Sequence, residues 1–177
     1  MERGLRLFVA ATVVLLVTAG IAIAAVSMHF NSPMEGAQEA PVPRDTQARG
    51  NAVYKLSADG THIEYKVIVA NIENVFMAHI HMGPPGVSGP IVVWLCGTPA
   101  QAGPAGTATC PGRAGVVRGS FAAANVLSAG TQQLAAGELS ELILAMRAGV
   151  AYVNVHSTLS PGGEIRGQVS KGNYVPR

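Results

Sequence analysis

An all-β sandwich or Greek-key barrel of about seven or eight short strands, with one short helix, is the fold class this sequence predicts. Three observations carry the expectation. Apolar and polar residues alternate through Thr61-His62-Ile63-Glu64-Tyr65-Lys66-Val67 and again through Val150 to His156, as on strands with one face buried. Glycine and proline punctuate the chain at Ser57-Ala58-Asp59-Gly60, from Gly83 to Pro90, and at Ser160-Pro161-Gly162-Gly163, where turns are expected. Only Leu139, Leu142, Ile143 and Met146 recur convincingly at helical spacing, giving one apolar helix stripe.

The elements follow in chain order. A basic start, Met1-Glu2-Arg3-Gly4-Leu5-Arg6, leads into an apolar run from Leu7 to Val26. Residues 1–25 read as a signal peptide, with a small-x-small cleavage pattern at Ala22-Ile23-Ala24, or as an uncleaved membrane anchor through residues 7–26. Both place the remainder outside the cytoplasm: secreted, periplasmic or at the cell surface. Residues 26–33 are expected to be a linker, 34–170 the β domain and 171–177 a tail. From Asn31 to Arg49 the chain is polar and interrupted by Pro33, Pro41 and Pro43, which predicts a linker running into an edge strand near Glu35 to Glu39. Ala52 to Leu56 and Thr61 to Val67 predict a hairpin around an Asp-Gly turn, with Ile63, Tyr65, Val67 and Val69 in the core and His62, Glu64 and Lys66 in water. Further strands are expected over Val75 to Met82, Ile91 to Cys96 (continuously apolar, hence buried on both sides) and Val116 to Phe121. The helix should be capped by Ser140 and ended by Gly149. A last hairpin joins Val150–His156 to Glu164–Val169.

A length of 177 residues suits one domain. Without Arg3, Arg6 and Glu2, which belong to the leading segment, ten basic and nine acidic residues remain of the 12 and 10 in the chain. The basic residues are scattered singly, which excludes a nucleic-acid-binding surface. Cys96 and Cys110 are the only two cysteines; in an oxidising compartment the pair predicts a disulfide, worth about 3 kcal/mol for a loop of this size. Their spacing is not that of a thiolate metal site. The glycines between Gly83 and Gly89 lead into a strand with no Lys following, so no phosphate-binding loop is predicted.

Parity places the polar residues. With Ala151, Val153 and Val155 inward alongside Ile165, Gly167 and Val169, the other face carries Tyr152, Asn154, His156, Glu164, Arg166 and Gln168. In the third strand Ala78 and Ile80 face inward, so Met77, His79 and His81 face outward. Were that strand adjacent to the last hairpin, His79, His81 and His156 would converge as candidate ligands for copper or zinc, both of which suit imidazole. Glu164, opposite His156 in a symmetric register, would orient that ring, with Asn154 and Arg166 flanking. Equally open on these residues is a surface of hydrogen-bonding histidines beside a Glu164–Arg166 pair.

Three ordered blocks resemble one family. Met34-Glu35-Gly36-Ala37-Gln38-Glu39-Ala40-Pro41, then Ala78-His79-Ile80-His81-Met82-Gly83 through Gly89-Pro90-Ile91-Val92, and Tyr152-Val153-Asn154-Val155-His156-Ser157 with Pro161-Gly162-Gly163-Glu164-Ile165-Arg166-Gly167-Gln168, look like the chordin-type (CHRD) domain of exported proteins. The resemblance implies an immunoglobulin-like β-barrel. In chordin similar domains belong to an extracellular growth-factor antagonist, but the cysteine-rich modules that bind growth factor there are missing here, so that activity is not carried over. A fainter likeness is to the copper site of copper-zinc superoxide dismutases, which His79, His81 and His156 would match in part; a bridging histidine and a zinc site are lacking. The leading expectation is thus a non-enzymatic exported domain whose partner is an extracytoplasmic protein or a metal ion. The alternatives are a copper redox enzyme on the same triad and a purely structural or adhesive domain.

Overall fold

A computed structural model describes residues 28–172. The expected signal peptide or anchor at 1–25 lies outside the described residues, and among those described no helix is long and apolar enough to cross a membrane. The elements are β1 (His29–Glu35), β2 (Arg49–Leu56), β3 (His62–Met82), β4 (Ile91–Cys96), β5 (Gly112–Ala122), α1 (Leu139–Ala148), β6 (Ala151–Ser157), β7 (Ile165–Gln168) and β8 (Ser170–Lys171). All pairings between named strands are antiparallel.

β2 and β3 form the expected hairpin, with Tyr54 opposite Tyr65 and Leu56 opposite Ile63. Its turn is held by Asp59, whose carboxylate accepts hydrogen bonds from the Ser57 hydroxyl and from the amide and hydroxyl of Thr61, while Gly60 takes the left-handed conformation that such turns require.

Where two separate strands were expected, β3 is a single strand of 21 residues. Its buried apolar positions are Ile63, Tyr65, Val67, Val69, Ile72, Val75, Ala78 and Ile80. Three successive three-residue steps, around Asn71 and Asn74, move the inward set from odd to even positions. Both asparagines have positive φ, 52° and 51°, a conformation this side chain tolerates, and the pairing with β5 shifts register on either side of Glu73. These bulges bend the strand. Its first half pairs with β2 and β5 and its second with β6 and β4. The path β3–β2–β1–β7–β6–β3 therefore returns to its own starting strand and closes a barrel, with β4, β5 and β8 outside the ring. Closure leaves fewer unpaired edges than an open sandwich.

Several expectations are corrected. The linker at 26–33 gives way to β1, which begins at His29 and buries Phe30, Ser32 and Met34 in alternation; that period outweighs Pro33, which faces solvent. The edge strand expected near Glu35 to Glu39 is instead a 3-10 turn at Gly36–Gln38. Ser140 lies inside the helix: α1 starts at Leu139, and its N-cap residue Glu138 makes no side-chain cap, its carboxylate accepting from the Ala135 amide at 2.7 Å. Gly149 ends the helix at φ 72° as expected, and Leu139, Leu142, Ile143 and Met146 are all buried. Cys96 and Cys110 are joined in a disulfide.

Candidate metal centre

On the face of the sheet turned away from the barrel core, register sets the residues in rows. His79 of β3 lies between Trp94 of β4 and Asn154 of β6, and Asn154 is paired in turn with Arg166 of β7. The next row is His81, Tyr152 and Gln168. His156 pairs with Met77, one row the other way, so it stands diagonal to His79, within reach of long side chains. The register thus sets His79, His81, Tyr152, Asn154, His156, Arg166 and Gln168 on the face that parity predicts.

Burial overturns the alternative in which these histidines form an exposed surface. His79 is 0% exposed, His81 8% and His156 6%; Asn154, Glu164 and Arg166 are buried as well. Three loops cover the face. Ser88 donates to the Ala40 carbonyl at 2.9 Å and Arg44 to the Gly163 carbonyl at 3.3 Å, tying the 36–48, 83–90 and 158–164 segments to one another. Gln168 Nε2 donates to the Gly83 and Gly149 carbonyls, both at 2.8 Å, and Arg166 donates to the Pro84 carbonyl at 3.0 Å.

The three histidines offer ligand atoms that all lie within 4.8 Å of one another. His81 Nδ1 lies 2.9 Å from the Gly89 carbonyl and His156 Nδ1 lies 2.9 Å from the Pro161 carbonyl. A carbonyl oxygen only accepts, so both Nδ1 atoms carry the proton and both Nε2 atoms present a lone pair. His79 Nδ1 sits 3.3 Å from His156 Nε2. The Nε2 atoms of His79 and His81 are buried with no hydrogen-bond partner, an arrangement that hydrogen-bonding histidines on a folded surface seldom show. Aromatic rings wall the cluster: Trp94 lies edge-on to His79 with centroids 4.2 Å apart, and Tyr152 stacks on His81 at 4.8 Å.

Electrostatics keep the imidazoles neutral. Burial, with smaller contributions from His156 and His81, holds His79 down to about 2. Burial also lowers His81 to about 4, against the pull of the Gly89 carbonyl, with repulsion from His156 and Arg166 adding to it. His156 is lowered by burial and opposed by the Pro161 carbonyl. Neutral imidazole is the ligating form.

Glu164 does not hold His156. Its carboxylate accepts from the hydroxyls of Ser157 and Thr46, and the Pro161 carbonyl takes the orienting role expected of it. Asn154 turns to Glu39, donating to its carboxylate and to the Ile165 carbonyl. Arg166 lies 3.5 Å over the Tyr152 ring, which also stacks on the ring of His81. Reasoning from sequence left Glu39, Tyr152 and Trp94 without a role. Glu39 and Tyr152 did stand in the blocks that carried the resemblance, whereas the Gly89 and Pro161 carbonyls have no side-chain signature at all. Glu39 is buried and pushed up to about 7 by desolvation, against the Asn154 hydrogen bond and the charges of Arg166 and Arg44.

The family model of the CHRD domain matches residues 30–169. No curated protein and no solved structure matches the chain. CHRD domains are extracellular, of binding type, and the Cys96–Cys110 bridge is consistent with an oxidising compartment. With a match running from the second residue of β1 to the residue after β7, the chain belongs to the CHRD domain family.

Proposed function

We propose that this protein is an exported CHRD-domain metal binder, carried outside the cytoplasm by residues 1–25 and holding one copper or zinc ion through His79, His81 and His156. The observation that carries the reading is the pairing of convergence with commitment. Three buried neutral imidazoles bring ligand atoms within 4.8 Å of one another, and two of the rings are locked by backbone carbonyls at Nδ1 so that Nε2 carries the lone pair. Second hydrogen bonds of this kind fix the tautomer of a ligating histidine. His81 and His156 would bind through Nε2, and His79 through the Nδ1 atom that faces His156 Nε2. Bound there, the ion would supply a cross-link between β3 and β6 and satisfy His81 Nε2, which the fold otherwise buries alone.

The test is metal analysis of the full chain purified without a histidine tag, equilibrated separately with zinc and copper and then gel-filtered. About one equivalent of ion is expected on the wild type and at least about tenfold weaker retention on His81→Ala. Equal, near-zero metal on both proteins would leave the histidines with a structural role alone.

A further inference from the structure

We infer that the His79–His81–His156 centre selects the cuprous ion, Cu(I), over Zn(II) and Cu(II). The inference rests on the reading of the triad as a metal centre and adds the charge and coordination number of its ion.

The donor set is three neutral nitrogens. Neither cysteine is available, since both are in the disulfide. Neither nearby carboxylate turns to the triad: Glu164 is taken by Ser157 and Thr46, and Glu39 by Asn154, with the guanidiniums of Arg166 and Arg44 about it. The charge of a bound ion therefore has no anionic ligand to offset it. Desolvation cost rises with the square of the charge, so a dication is penalised about four times as heavily as a monocation in the same buried site.

A fixed cation sharpens the difference. Arg166 is 2% exposed, and its guanidinium lies against the Tyr152 ring that itself stacks on His81. Its repulsion acts on any ion held by His81 and doubles for a divalent one.

Coordination number points the same way. Zn(II) takes four ligands, and Cu(II) prefers a tetragonal set. The walls beside the three imidazoles are the rings of Trp94, Tyr152 and Phe76, and the Tyr152 hydroxyl is engaged by the Gly89 amide, so a fourth ligand for Zn(II) or a tetragonal set for Cu(II) would have to be water drawn into a buried, ring-walled site. Cu(I), with a filled d shell, is satisfied by three nitrogens.

The deciding experiment titrates the full chain in detergent with Cu(I) under anaerobic conditions, in competition with a chromogenic cuprous chelator, and separately with Zn(II) and Cu(II) against metallochromic indicators. X-ray absorption of the copper-loaded protein then reports oxidation state and coordination number. One equivalent of Cu(I) in a three-nitrogen environment is expected, bound on the order of a hundredfold more tightly than either dication, and lost in His156→Gln, a variant whose fold is checked by circular dichroism. Stoichiometric Zn(II) or Cu(II) binding as tight as Cu(I), abolished by the same variant, would overturn the selectivity while leaving the metal centre in place. Failure of the wild type to bind any of the three ions would overturn both.

Discussion

At the scale of single residues, the state of the imidazoles governs how the metal-free protein responds to acid. His79 is held to about 2 and His81 to about 4, chiefly by burial, and His156 is lowered for the same reason. Unfolded, all three titrate near pH 6.5. Between that pH and their folded values the unfolded chain binds more protons, so stability is whole above about pH 6.5 and is lost as the pH falls, by about 1.4 kcal/mol per pH unit for each group that stays neutral. Glu39 acts in the opposite sense. Raised from 4.5 to about 7, it contributes stability that is complete below the lower value and is lost as the pH rises through the upper one. Three groups oppose one, and the melting temperature of metal-free protein is expected to drop between pH 6.5 and 4.5; a flat profile would mean that the rings reach water. Among these residues, parity along the strands foretold the histidine face. It could not foretell that Gly89 and Pro161 supply the orienting contacts, because a backbone carbonyl is common to every residue and only the path of the loop brings it to the ring.

Among the elements, the loops that roof the centre depend on two glycines. A Cβ on Gly89 would lie 1.6 Å from the Met82 carbonyl oxygen, so Gly89→Ala must displace the peptide that holds His81 Nδ1 and that Tyr152 also binds, the Gly89 amide donating to the Tyr152 hydroxyl at 2.9 Å. Metal affinity is expected to fall about tenfold or more while far-ultraviolet circular dichroism stays that of the wild type; unchanged affinity would show that the carbonyl is dispensable. Gly163 has φ 125°, and a Cβ there would lie 2.6 Å from Asn154 Nδ2 and 2.7 Å from Glu39 Oε2. Gly163→Ala is therefore expected to lower unfolding free energy by about 2 kcal/mol, read from the urea midpoint. The strands were largely legible because period-two burial is written in side chains. β3 was not, since an asparagine in the left-handed region looks like a turn in the sequence, whereas here it bends a strand that continues.

For the molecule as a whole, the Cys96–Cys110 bridge closes the long loop after β4, and the hydrogen-bond partners of the imidazoles come from the Gly89 and Pro161 carbonyls and from one another rather than from that loop. Replacing both cysteines by serine is expected to lower stability by about 3 kcal/mol, the closure entropy of such a loop, and to leave metal stoichiometry unchanged; loss of the metal together with the bridge would place the loop in the centre after all. The sequence by itself determined the all-β class, the inward and outward sets of the strands, the disulfide and the three histidines, because periodicity and spacing are local properties of the chain. Tertiary structure alone decided that β3 closes the barrel on itself, that β3 and β6 are neighbours, and that loops from three distant segments bury the polar face. Those outcomes depend on which strands pair and where the connections pack, and contacts between residues so far apart in the chain leave no period in the sequence to be read. The burial they impose turns three outward-facing histidines into a buried, neutral cluster.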